Sequence, residues 1–133
     1  MKIGVPTEIK KNENRVGLNP QSVKEIVDCG HEVFVQAGAG TGIFATDEDY
    51  RNAGAGIMPD ADDVFAACDL IVKVKEPQPE ECAKLRPDQI LFTYLHLAAD
   101  PIQAKGLMNS GCIAIAYETI AGPDGRGLPL LQP

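Results

Sequence analysis

Apolar residues in this chain fall into short continuous runs, separated by segments in which they recur at helical spacing. Ile3-Gly4-Val5, with Lys2 before and Pro6 after, reads as a first strand over 2–6. Glu32 to Gln36 reads as a second strand, Leu70-Ile71-Val72-Lys73-Val74 as a third, Ile90 to Leu95 as a fourth and Cys112 to Tyr117 as a fifth. Between them lie helix signals. Asn19-Pro20 is an N-cap followed by proline at the first helical position, Val23, Ile26 and Val27 form an apolar stripe, and Gly30 closes it. Thr46 caps a helix through Tyr50 to Ala53, with Asp49 as its capping-box partner. Asp60 opens a helix carrying Val64, Phe65 and Ala67, and Pro79 opens one expected over 79–86. Asp100-Pro101 starts a helix with Ile102, Leu107 and Met108 that ends near Gly111. Strands alternating with helices predict an α/β fold with a doubly wound, mostly parallel sheet.

Near-continuous apolar runs are the mark of strands buried on both faces. In such sheets ligands bind in the crevice beyond the carboxyl ends of the strands. Three ionisable residues fall there. Lys75 follows the run at 70–74, His96 follows the run at 90–95, and Arg15 lies in the polar stretch after the first strand. Each has a plain structural reading: a solvated arginine, an edge lysine like its neighbour Lys73, and a histidine satisfied in an apolar setting. Each also has a chemical reading. An arginine clamps a carboxylate through two parallel hydrogen bonds. A partly desolvated lysine polarises a carbonyl, and a histidine exchanges protons near neutral pH. Three such groups at one end of one sheet suit a 2-oxo or 2-amino acid. His31, between Gly30 and the second strand, reads only as a neighbour of a helix end.

The remaining features narrow the classes. The chain has 133 residues, 44% of them hydrophobic and 23% charged, which is one domain of ordinary globular composition. A net charge of −7 argues against a nucleic-acid partner, which wants a basic face. No apolar run approaches the ~18 residues of a membrane span, and Met1-Lys2-Ile3 enters a strand with no signal region, so a cytoplasmic protein is expected. Cys29, Cys68, Cys82 and Cys112 are widely spaced and read as free thiols; two histidines without ligand spacing predict no metal. Gly38-Ala39-Gly40-Thr41-Gly42 follows a strand, but position 43 is Ile, so the Gly-x-Gly-x-x-Gly dinucleotide fingerprint is broken. A tight turn is the favoured reading there, and a dinucleotide loop the weaker one. Leu128-Pro129-Leu130-Leu131 begins a connection; the expected division is a domain over 1–127 and the start of a link over 128–133.

Several segments together carry a family resemblance. Met1-Lys2-Ile3-Gly4-Val5-Pro6-Thr7-Glu8, Asn14-Arg15-Val16, Gln36-Ala37-Gly38-Ala39-Gly40, Val72-Lys73-Val74-Lys75-Glu76-Pro77, Leu95-His96-Leu97-Ala98-Ala99 and Tyr117-Glu118-Thr119 resemble the N-terminal part of alanine dehydrogenases. The related transhydrogenase α subunits share this unit but typically lack the histidine segment and the second lysine, both present here. The resemblance implies a flavodoxin-like or Rossmann-like substrate domain, completed in the family by a C-terminal segment. It implies reversible oxidative deamination of L-alanine to pyruvate and ammonium, with Arg15 and Lys75 binding substrate and His96 as catalytic acid/base. Glu8 and Glu118 would at most support them. It also implies NAD held by a domain this chain does not contain, an oligomer (a hexamer in the intact family), and inactivity of the 133-residue piece alone. The competing readings are a non-catalytic module that binds 2-oxo acids or a partner chain, and the N-terminal unit of a transhydrogenase.

Overall fold

The protein is described by a computed structural model covering residues 1–131. Six strands, β1 (Lys2–Val5), β2 (Glu32–Gln36), β3 (Gly56–Met58), β4 (Leu70–Val72), β5 (Ile90–Thr93) and β6 (Ile113–Ala116), form one parallel sheet in the order β3-β2-β1-β4-β5-β6. The chain builds outward from β1 to β3, then returns to lay β4 against the other side of β1. That reversal makes the β1–β4 junction the switch point, where a doubly wound sheet opens its ligand crevice.

The helices are α1 (Pro20–Asp28), α2 (Asp47–Asn52), α3 (Ala61–Ala67), α4 (Pro79–Cys82) and α5 (Pro101–Ser110), and all but α4 begin where side chains satisfy the first free amides. Asn19 accepts from the Ser22 amide, Thr46 and Asp49 form both halves of a capping box, Asp60 accepts from Asp63, and Asp100 accepts from Ile102 and Gln103. Two cores lie on opposite faces. Ile3, Val5, Val33, Val35 and Val72 pack with Val23 of α1 and Tyr50 of α2. Ile71 and Leu91 pack with Val64 and Phe65 of α3, Cys82 of α4 and Leu107 of α5. Gly4 lets α3 approach β1: a Cβ there would stand 2.8 Å from Val64 Cγ1 and 2.9 Å from Cys68 Sγ.

The α/β class and the parallel sheet agree with the sequence reading, and four local expectations need correction. β3 was not expected, because Gly56-Ile57-Met58 is a half-buried edge of three residues, set between Gly54 and Pro59. The strands expected over 70–74 and 90–95 stop at Val72 and Thr93. The helix expected over 79–86 ends at Cys82 and continues as tight turns, with Lys84 bonded to Glu81 and Leu85 to Cys82. Lys73 is a buried residue, not an edge or surface lysine. Of the connection expected over 128–133, residues 132–133 lie outside the described residues.

One part of the sheet lacks cover among the described residues. Val72, Phe92 and Ile115 are register neighbours on the face that α1 and α2 cover elsewhere. Phe92 is still half-buried, but at β6 that face is open: Ile113 is 50% exposed and Ile115 40%. Apolar strand surface of this kind, on an open sheet edge, promotes association. The chain is therefore expected to sediment as an oligomer at high concentration, with Ile113→Ser/Ile115→Ser shifting it towards monomer. A wild-type chain that stays monomeric under these conditions would contradict this.

Candidate functional site

The carboxyl ends of β1, β4 and β5 open on the same side, and the chain leaves them through three loops that share buried polar contacts. Glu8 follows β1 by three residues and sits almost wholly out of solvent. Its carboxylate accepts from Lys73 Nζ at 3.0 Å, from the Val74 amide at 3.1 Å and from the Lys75 amide at 3.0 Å. Those amides would otherwise have extended the ladder, so β4 ends where a side chain takes over its donors. Lys73 Nζ also reaches Glu81 Oε2 at 2.9 Å, and the three side chains are 1%, 1% and 3% exposed. Burial pushes the Glu81 carboxyl above its ordinary range, against the pull of Lys73.

Two residues further on stands Lys75. Its carbonyl accepts from the Thr93 hydroxyl at 2.8 Å, which ties the exit of β4 to the end of β5. Its ammonium lies 5.2 Å from the centroid of the Tyr94 ring, within cation–π range. Tyr94 in turn stacks on His96, with ring centroids 5.5 Å apart and the tyrosine hydroxyl 2.9 Å from His96 Nδ1. Lys75 and His96 are thus joined through one aromatic ring. Their place at the ends of two strands of one sheet predicts that they lie close together; no periodicity in the sequence marks Tyr94 as the bridge.

His96 has left-handed backbone at φ 47°, uncommon for a residue with a side chain. The turn is fastened from both sides. Glu118 accepts from the Leu95 amide at 3.1 Å and the His96 amide at 3.0 Å, while Gln103 Nε2 donates to the Leu95 carbonyl at 2.9 Å. The imidazole is exposed, so the reading of a histidine satisfied in the core does not hold.

Arg15 lies in the loop after β1, with its side chain 65% exposed. Glu13 grips one edge of the guanidinium, accepting from Nε at 3.0 Å and Nη2 at 2.8 Å. The arginine holds the Glu13 carboxyl down at about 2. The outer edge of the guanidinium takes no part in this pair. Arg15 also lines an open cleft of about 450 Å³ with Phe92, Tyr117, Leu130 and Leu131. Tyr117 reaches across to donate its hydroxyl to the Val74 carbonyl at 2.7 Å. Arg15, Lys75 and His96 therefore all stand at the same end of the sheet, each on a separate strand exit.

The glycine loop does not suit a dinucleotide. A Cβ at Gly42 would lie 1.9 Å from the Asn14 carbonyl oxygen, and one at Gly40 would lie 2.6 Å from the Ala45 carbonyl oxygen. Its glycines thus answer to close packing of backbone. The Gly38 amide donates to Asp47, and the next helix begins Asp47-Glu48-Asp49, a first turn that repels pyrophosphate. Cys29, Cys68, Cys82 and Cys112 are free. Burial pushes the Cys68 thiol up to about 11, which makes it a packing residue.

Glu8, Lys73, Glu81, Tyr94, Glu118 and Glu13 carry the site's internal bonds. Glu8 and Glu118 fall within the segments that carry the family resemblance, but no periodicity marks Glu13 or Glu81, and none announces the partners of any of the four, because those lie in other loops or in irregular turns. Tyr94 had a weak signal, as an aromatic residue two positions before a histidine at a strand end.

Comparison with known proteins decides the family. Residues 4–133 match the family model described as "Alanine dehydrogenase/PNT, N-terminal domain". The chain belongs to this family. Over its whole length this N-terminal domain is 53% identical to the alanine dehydrogenase of Halomonas elongata, 52% identical to that of Mycobacterium tuberculosis and 51% identical to that of Bacillus subtilis. It spans 36%, 36% and 34% of those proteins, about a third of each. A solved L-alanine dehydrogenase superposes with a TM-score of 0.94 at 51% identity, over 98% of this chain and 36% of that one. A transhydrogenase from Sinorhizobium meliloti is a more distant neighbour, with a TM-score of 0.84 and 28% identity over 90% of this chain and 36% of that one. No helix among the described residues is long and apolar enough to cross a membrane.

Proposed function

We propose that this chain forms the substrate half of an NAD-dependent L-alanine dehydrogenase. The observation that carries the reading is the convergence of Arg15, Lys75 and His96 on three adjacent strand exits, in a chain about half identical to alanine dehydrogenases. Arg15 offers the guanidinium edge left free by Glu13 to the carboxylate of pyruvate or alanine. Lys75, held by its own amide and carbonyl, places its ammonium near that carboxylate and the C2 oxygen. Its charge favours the electron density that builds on that oxygen when, in the reverse direction, ammonia adds to the pyruvate carbonyl. His96 carries the protons that water addition and ammonia release require, with Tyr94 fixing the ring through Nδ1.

NAD would accept the hydride. The glycine loop at 38–42 does not fit it, and a cofactor domain outside these residues would hold it. The piece alone is then inactive, and the intact protein works as a cytoplasmic homo-oligomer on a small-molecule substrate. The deciding experiment is a chimera in which this chain replaces the corresponding N-terminal third of the Halomonas elongata enzyme. Alanine-dependent NADH formation by the chimera, and none by the isolated chain, is expected. A folded chimera without activity, or steady turnover by the isolated chain, would contradict the reading.

A further inference from the structure

We infer that Glu118 is the positioning residue for His96, and that the turn after the last strand sets the geometry of the acid/base. This rests on the proposed role of His96 and goes one step behind it. His96 is presented by a left-handed turn that costs energy for any residue bearing a Cβ. Such a conformation persists only where surrounding bonds over-determine it. Here one carboxylate supplies two of them: both Glu118 oxygens face the Leu95 amide, at 3.1 and 3.2 Å, and Oε1 also takes the His96 amide at 3.0 Å. Amide bonds to a charged acceptor are the strong kind, roughly twice a neutral pair.

Glu118 lies on a short 3₁₀ turn, Tyr117–Thr119, directly after β6. The same turn reaches β4, since Tyr117 donates to the Val74 carbonyl at 2.7 Å. Two consecutive side chains therefore fasten the exits of the strands that carry Lys75 and His96. No other side chain among the described residues donates to or accepts from the amides of Leu95 and His96. Gln103 holds the carbonyl side of the same turn, and its own Oε1 has no partner. Removing Glu118 leaves two amides without an acceptor and frees the backbone to leave φ 47°. The Tyr94–His96 ring contact then loses its geometry, because it depends on the direction in which Cβ of His96 points.

The test uses the isolated chain and needs no activity. Glu118→Ala is expected to raise hydrogen exchange at the Leu95 and His96 amides by about tenfold or more. It should also move the His96 imidazole ¹⁵N shifts away from the signature of a ring bonded to tyrosine through Nδ1. Glu118→Gln keeps one carbonyl acceptor and should restore part of both signals. Thr119→Ala, on the same turn but bonded only to the Ala116 carbonyl, should leave them unchanged and so separates loss of the clamp from loosening of the turn. Unchanged exchange and imidazole shifts in Glu118→Ala, or equal changes in Thr119→Ala, would overturn the inference. If the chimera is silent while Glu118→Ala behaves as expected, the enzymatic reading fails and the positioning of His96 stands.

Discussion

Replacing Lys73 by methionine is expected to lower the unfolding free energy by about 3–5 kcal/mol, the usual cost of breaking a buried ion pair. Lys73 is the single cation among two buried carboxylates, at 3.0 Å from Glu8 and 2.9 Å from Glu81. Without it, two carboxyls face one desolvated space, and the Glu81 carboxyl, already raised by burial, loses the cation that pulled it down. The sign of the pH dependence follows. Carboxyls whose folded pKa is raised stabilise the fold at low pH, and that contribution is lost as pH rises through the raised value. The variant should thus be least stable at neutral and alkaline pH and recover part of its loss on acidification. The double variant Lys73→Met/Glu81→Leu should lose less than the sum of its parts, because one stranded charge goes with the cation. Urea unfolding of these variants measures the effect. A loss below about 1 kcal/mol for Lys73→Met would show that the network is worth no more than a surface pair.

The network does more than stabilise. Glu8 is held by Lys73, and Glu8 holds the amides of Val74 and Lys75. The ammonium of Lys75 is thereby hung from a rigid point, although its own side chain is only half-buried. An exposed catalytic group gains precision when its backbone is anchored in this way.

Arg15→Ala carries the second large expectation, a loss of pyruvate affinity of about a hundredfold, since a charged two-point hydrogen bond is worth roughly 3 kcal/mol. Arg15→Lys should recover little of it, because an ammonium cannot make the planar two-point contact. Glu13 sharpens this. By taking the Nε–Nη2 edge, it orients the guanidinium so that the remaining edge is the one available to a ligand. His96→Ala should leave binding within about twofold, since its assigned work is proton transfer and not anchorage.

Much of this was legible in the chain. The two apolar runs before Lys75 and His96, and the proline-marked helix starts at Asn19-Pro20 and Asp100-Pro101, identify a parallel α/β sheet and the end at which Arg15, Lys75 and His96 gather. The tight turn of the glycine loop was legible too, with Gly38 at φ 79°. What could not be read were the long-range polar bonds. Lys73 looks like any edge lysine until Glu8, 65 residues earlier, and Glu81 on the next helix are folded against it. Periodicity reports which face a residue takes, and carries no information on which charge from another loop will meet it. Edge strand β3 was hidden for a different reason: three half-buried residues give no alternation to read.

In the proposed function, Arg15 and Lys75 form a carboxylate site at the switch point of this sheet. A titration of the ¹⁵N-labelled chain with pyruvate, followed by NMR, tests it most directly. Saturable shifts confined to the exits of β1, β4 and β5, lost in Arg15→Ala and kept in His96→Ala, are expected. Shifts that persist unchanged in both variants, or a wild-type chain that shows no saturable response, would contradict it.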